Sequence, residues 1–270
     1  MVTPTRADPT PEPPLDLVPL PGGVTASLLA GLATGVGALP ALLLRNPSAR
    51  VLDGLLGFAA GIMLAASFIA LVLPGIAEAN RQWGGPLAGT AAAAVAVLAG
   101  AASLWLLERA TPHLHFSDAP DSARGPMLPL IAVAIALHNV PEGLAVGVGY
   151  GAGDSSGDAV ALAIGIQNMP EGLAVAVSLL ALGWGRLVSV GVALLTGLVE
   201  PLGAALGVAA VGAAAGLLPL ALCFAGGAML FVVSHEVIPE THRKGHEDVA
   251  TSGLMVGLAA MLLIDAAVGG

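Results

Sequence analysis

The chain is 270 residues long, 56% hydrophobic and only 10% charged, with 37 glycines and a mean hydropathy of +0.90. Soluble domains carry about 25% charged residues, so this chain cannot cover a globule for water and reads as an all-α, polytopic integral membrane protein. A formal charge of −9 excludes nucleic acid as a partner, and the single Cys223 excludes a disulfide scaffold or a thiolate zinc cage.

Residues 1–21 are proline-rich and acidic, without the basic start and apolar core of a signal peptide, and predict a short disordered tail. Apolar runs then follow at about 22–44, 54–77, 86–107, 127–150, 159–182, 187–212, 217–240 and 249–268. Each is long enough to cross a ~30 Å hydrocarbon core, which needs about 20 helical residues. The prediction is an eight-helix transmembrane domain over 22–268, its glycines and alanines allowing close helix packing.

Loop charges orient the bundle. The tail, the 2–3, 4–5 and 6–7 loops and the C-terminus hold only Arg6 and Arg81, whereas the alternate loops hold Arg45, Arg50, Arg109, Arg124, Arg186, Arg243 and Lys244. The basic set faces the cytoplasm by the positive-inside rule, which puts both termini outside a plasma (inner) membrane.

The sequence also repeats. NVPEGLAV (139–146) returns as NMPEGLAV (168–175) on the next helix, and FAAGIML (58–64) resembles FAGGAML (224–230) on spans two and seven. Both pairs run in opposite directions, the plan of an inverted repeat found in secondary transporters. Coincidence is the plainer explanation only for the second pair, which is mostly small residues.

Four ionisable groups stand inside the spans: His138 and Glu142 in span four, Glu171 in span five and Glu200 in span six. An ionised carboxylate there costs about 2.5–3.5 kcal/mol, too much for incidental packing. No Lys or Arg lies inside any span to neutralise it, which leaves protons, water or a bound cation. Helical spacing selects the cation. His138, Asn139 and Glu142 lie on adjoining faces of one helix, as do Gln167, Asn168 and Glu171 on the next. Imidazole, amide oxygen and carboxylate together suit borderline divalent metals, and two bridging glutamates would hold two ions. Pro141, Pro170 and Pro201 each adjoin a membrane glutamate, which predicts helices broken beside the site.

Other candidates are weaker. Met63 could lend a thioether, although a gap-filling role is favoured. His235 and Glu236 close span seven, with His246 just beyond. They are a candidate cytoplasmic metal site, and a solvated helix end fits them equally. His113 and His115 lie in the 3–4 loop, and Asp53, Glu78 and Asp265 at span ends, where plain surface polarity explains the three acids.

HNVPEG (138–143) and QNMPEG (167–172), on consecutive central helices of an eight-span chain, resemble the ZIP (Zrt-/Irt-like protein) metal transporters, specifically their bacterial GufA-like branch, over about residues 22–268. The resemblance implies divalent-metal uptake toward the cytoplasm, chiefly of zinc, through a binuclear site between spans four, five and six. Carried over, His138, Glu142, Gln167 and Glu171 resemble one metal position, with Met63 contributing. Asn139, Glu142, Asn168, Glu171 and Glu200 resemble the other. His235, Glu236 and His246 look like the release residues. The resemblance further implies that spans one, four, five and six slide against two, three, seven and eight. Many members carry histidine where Gln167 stands, and some carry aspartate where Asn168 stands. Both departures weaken zinc selectivity and leave room for Cd²⁺, Fe²⁺ or Mn²⁺.

The expected function is therefore metal transport by alternating access, with metal ions and membrane lipid as partners, no resident cofactor, and a homodimer left open. An intramembrane metalloenzyme is the rival. Against it, the sequence has no HExxH and no Gly-x-Ser-x-Gly elbow. An ion-coupled organic-solute carrier is the other rival, and it predicts uptake indifferent to chelators.

Overall fold

The computed structural model describes residues 19–43, 48–83, 85–110, 128–153, 156–243 and 245–268, with the side chains of 19–20, 128–137, 156 and 215 outside that description. The predicted tail (but for its last three residues), His113 and His115 lie outside the described residues. Among the described residues all regular structure is helical.

Helix α1 (Pro19–Ala38) runs into a 3₁₀ turn, Leu39–Leu42. It begins inside the predicted tail, because prolines are tolerated in a first helical turn, where no N–H partner is needed. Helix α2 (Ala49–Ala66) continues through a π-helical segment, Ser67–Val72, into α3 (Leu73–Gln82). This 34-residue rod overruns the apolar stretch at both ends. Then come α4 (Pro86–Ala110), α5 (Leu128–Gly151), α6 (Ser156–Ala181), α7 (Arg186–Gly197) and α8 (Glu200–Ala213). Helix α9 (Leu218–Val232) passes through a second π-helical segment, Val233–Val237, into α10 (Ile238–Thr241), and α11 (Glu247–Val268) ends the fold. Seven of these helical segments are long and apolar enough to cross a membrane, and α5 adds a further helix of 24 residues. The chain is a multi-pass membrane protein.

The prolines behave differently from one another. Pro141 and Pro170 sit inside α5 and α6, which continue past them. Only Pro201 coincides with a break, where the chain turns at Leu198–Val199 between α7 and α8. A proline at 201 cannot donate to the carbonyl of Gly197. The other two losses are absorbed within continuous helices, as membrane bundles allow when neighbours re-satisfy the freed groups.

The two π-helical segments sit at matching places. Each begins nine residues after the first residue of its FA-x-G-x-ML copy, 58 to 67 and 224 to 233. Each also precedes a proline, Pro74 or Pro239, whose missing N–H disturbs the preceding turn. Shared backbone irregularity strengthens a repeat that small residues alone could not establish.

Close backbone contacts sort the helices into two groups. In the first, a Cβ on Gly143 of α5 would fall 1.9 Å from the Glu200 carbonyl oxygen of α8, and one on Gly172 of α6 would fall 1.9 Å from Thr34 O of α1. In the second, Gly57 of α2 meets Ala250 O of α11 at 2.1 Å, and Gly100 of α4 meets Phe224 O of α9 at 2.0 Å. Only hydrogen fits at such distances, so these pairs lock backbone to backbone. Among the described residues, every such glycine contact lies within α1, α5, α6, α7 and α8 or within α2, α3, α4, α9 and α11. Side chains join the groups instead: Ile62 and Ala66 of α2 and Met229 of α9 share one apolar cluster with Val146 of α5 and Ile164 of α6.

Candidate metal centre

Three helices of the first group bring their polar residues together. Asn139 and Glu142 project from α5, Gln167 and Asn168 from α6, and Glu200 from the first turn of α8, all at most 1% exposed. The break before Pro201 places Glu200 at a helix start inside the bundle, and the Gly143 contact brings α5 against that same residue's backbone. Gln167 Nε2 donates to Glu142 Oε1 at 2.6 Å. Asn168 Nδ2 donates to Glu200 Oε1 at 2.7 Å and to the Ala30 carbonyl of α1 at 2.9 Å. Glu171, on α6, is half-buried. The carboxylates of Glu142, Glu171 and Glu200 lie near enough to repel one another.

This polar set is under-satisfied. Glu142 Oε2, Gln167 Oε1, Asn168 Oδ1, Glu200 Oε2 and both polar side-chain atoms of Asn139 are buried without a hydrogen-bond partner. Buried acceptors cost free energy when unmet. Five of these atoms are oxygens, the donor type that divalent cations take from carboxylates and amides. Among the described residues, however, no three His, Cys, Asp or Glu side chains converge on one ion-sized position. What the structure brings together instead is each of two carboxylates with an amide N–H, Glu142 with Gln167 and Glu200 with Asn168.

His138 points elsewhere. Its Nε2 pairs with the Glu236 carboxylate at 2.7 Å, joining α5 to the second π-helical segment and so one helix group to the other. His235 turns to Glu108 at the end of α4, 3.4 Å away, and stacks on Phe231 with centroids 4.9 Å apart. His246 pairs through Nδ1 with Asp53 of α2 at 2.8 Å. The sequence grouped His235, Glu236 and His246 as one cluster, and the structure gives each its own partner. Met63 is buried in an apolar cluster with Ala60, Val232 and Val233.

Several contributors escaped the sequence reading. The Ala30 carbonyl has no side-chain signature, and nothing in the sequence singles out Glu108. Ser27 and Thr34 are buried on α1 with unpartnered hydroxyls. Their seven-residue spacing on one helix face was a signal that could have found them. Asp53, taken for surface polarity, is 1% exposed. Removing its partner should therefore be felt. His246→Ala is expected to cost about 1–3 kcal/mol of stability, the penalty of leaving a buried acceptor unmet, seen as a lower melting temperature in detergent. An unchanged melting temperature would remove the pair from the account of stability.

Residues 117–265 match the model of the family described as ZIP zinc transporter. The chain is 49% identical over 241 residues to the zinc transporter ZIPB of Bordetella bronchiseptica, covering 88% of this chain and 78% of that protein. It is 44% identical over 253 residues to the zinc transporter GufA of Myxococcus xanthus, covering 92% and 99%. It is 35% identical over 251 residues to the zinc transporter ZupT of Corynebacterium glutamicum, covering 88% and 95%. The matching family and these relatives are described as transporters, so the class of protein is a membrane transporter rather than an enzyme. The chain belongs to the ZIP zinc transporter family, and its likeness to GufA spans nearly the whole of both chains.

Proposed function

We propose that this protein moves divalent transition metal, chiefly zinc, across the inner membrane into the cytoplasm, with α5 as an eighth span and both termini outside. The observation that carries this reading is the set of unpartnered buried oxygens on Glu142, Gln167, Asn168 and Glu200, in spans without a Lys or Arg to neutralise the acids. A doubly positive ion satisfies the oxygens and the charge together. The family resemblance supplies two positions for this reading, one formed with His138, Gln167, Glu142 and Glu171 once His138 leaves Glu236, and one with Asn139, Asn168, Glu142, Glu171 and Glu200. The relatives are named as zinc transporters. Amides at 167 and 168 leave Cd²⁺, Fe²⁺ and Mn²⁺ as competitors. His235, Glu236 and His246 serve the cytoplasmic side, where Arg109 sits 4.0 Å over the Trp105 ring, an arrangement suited to a membrane interface.

Alternating access is by sliding of the α1–α5–α6–α7–α8 group against the rest. The glycine contacts within each group support rigid bodies, and the side-chain-lined boundary supports movement between them. The His138–Glu236 pair spans that boundary and must part as the bodies move. Radiolabelled zinc, cadmium and iron uptake into proteoliposomes, each competed against the others, tests the reading. Liposomes that take up none of them would overturn it. Protons and metal compete for the same carboxylates, so zinc uptake is expected to fall as pH is lowered from about 8 to about 5. A flat profile over that range would remove the competition.

A further inference from the structure

The two amide side chains at the centre are fixed in opposite roles at their two ends. Each carboxamide has two N–H donors and one carbonyl acceptor. Asn168 spends its donors on the Ala30 carbonyl at 2.9 Å and on Glu200 Oε1 at 2.7 Å, and its Oδ1 is left buried and unpartnered. Turning the amide over would set an oxygen against two acceptors, so its orientation is locked by the main chain of α1. Gln167 does the same for Glu142 through Nε2 at 2.6 Å, leaving its own Oε1 unpartnered, although it has no backbone anchor. Each carboxylate is thus held by one oxygen and offers the other, Glu142 Oε2 or Glu200 Oε2. Gly31, beside Ala30, keeps α1 close enough for this: a Cβ there would lie 3.3 Å from Glu200 Oε1 and 2.2 Å from Gly197 O.

We propose that Asn168, anchored by the Ala30 carbonyl, does more than offer Oδ1 to an ion: its N–H end stands in for the transported cation at Glu200, and the N–H end of Gln167 does so at Glu142. The inference rests on the reading of this cluster as the metal path. An N–H donor and a cation seek the same carboxylate lone pairs, so the amides hold the glutamates in place between ions and set how much an ion gains by binding. Their neutrality also keeps the cluster at three carboxylates rather than more. Helix α1, with no carboxylate of its own among its described residues, becomes part of the site through one carbonyl oxygen.

The test compares melting temperatures of the detergent-purified full chain with and without added Cd²⁺ for wild type and Asn168→Asp. Aspartate removes both donors and sets an acceptor against Ala30 O and Glu200 Oε1. The variant is expected to melt lower without metal. With cadmium its gain should exceed that of wild type, and its apparent affinity should rise, because the competing N–H donors are gone and a charged oxygen stands in their place. A merely structural asparagine predicts equal losses with and without cadmium, and that result would overturn the proposal. So would an unchanged melting temperature. If Asn168→Asp yields no folded protein, Gln167→Glu decides by the same comparison, with a smaller metal-free loss because Gln167 holds one partner rather than two. A wild-type protein that cadmium does not stabilise would sink the metal-path reading itself.

Discussion

Zinc uptake into proteoliposomes is expected to fall to the level of protein-free vesicles when Glu142 is replaced by alanine. Glu142 is 1% exposed, receives the Gln167 amide on Oε1 and presents Oε2 without a partner. It is also the α5 carboxylate that shares its surroundings with both Glu171 and Glu200. It therefore belongs to both proposed ion positions, and its removal takes a charge from each. The loss should exceed about 100-fold, since even partners of metal ligands contribute 10–100-fold. Glu171→Ala should behave alike, because Glu171 also belongs to both proposed positions and its charge acts on Glu142 and on Glu200. Glu142→Ala leaves the buried Gln167 Nε2 without its acceptor, a loss of about 1–3 kcal/mol. Glu142→Gln keeps an acceptor for that amide and removes only the charge, so absent flux at a near-wild-type melting temperature in that variant would separate transport from folding. Near-normal flux in the Glu142 variant would remove its bridging role.

The helices and the acids were legible for one reason: lipid allows no ambiguity. A run of about 20 apolar residues has few alternatives to a helix, and Glu142, Glu171 and Glu200 stand out where nothing basic balances them. The amides were legible through their helical spacing to the glutamates and through the repeat, which placed Asn139 and Asn168 in equivalent positions. Partnerships across the fold were not legible. His138 meets Glu236 98 residues later, and Asp53 meets His246 193 residues later. Neither pair is fixed by any local period. His235, Glu236 and His246 do not gather either, each being held by a partner far away in sequence: Glu108, His138 and Asp53. The prolines misled in the same way. A missing N–H is visible in sequence, but whether neighbours re-satisfy the freed carbonyl depends on packing. Pro141 and Pro170 therefore sit in unbroken helices, and only Pro201 follows a break.

Gly143→Ala should damage the protein more than its single methyl group suggests. The added Cβ would lie 1.9 Å from the Glu200 carbonyl oxygen and 2.9 Å from its Cα. Backbone stands on the other side of that contact, so no side chain can swing away, and α5 must withdraw from α8. Overpacking of this kind costs about 1–3 kcal/mol. Here it also moves Glu142, the preceding residue, away from Glu200, the residue whose backbone is struck. Stability and transport should therefore fall together, with transport falling further because the two carboxylates no longer meet one ion. Gly191→Ala in α7 is the matched control. Nothing lies within 4 Å of a Cβ there, and alanine favours a helix over glycine by up to about 1 kcal/mol, so that variant should melt at or above wild type and transport normally. A Gly143→Ala protein that melts and carries zinc like the Gly191→Ala control would mean that the α5–α8 approach does not set the spacing of the acids.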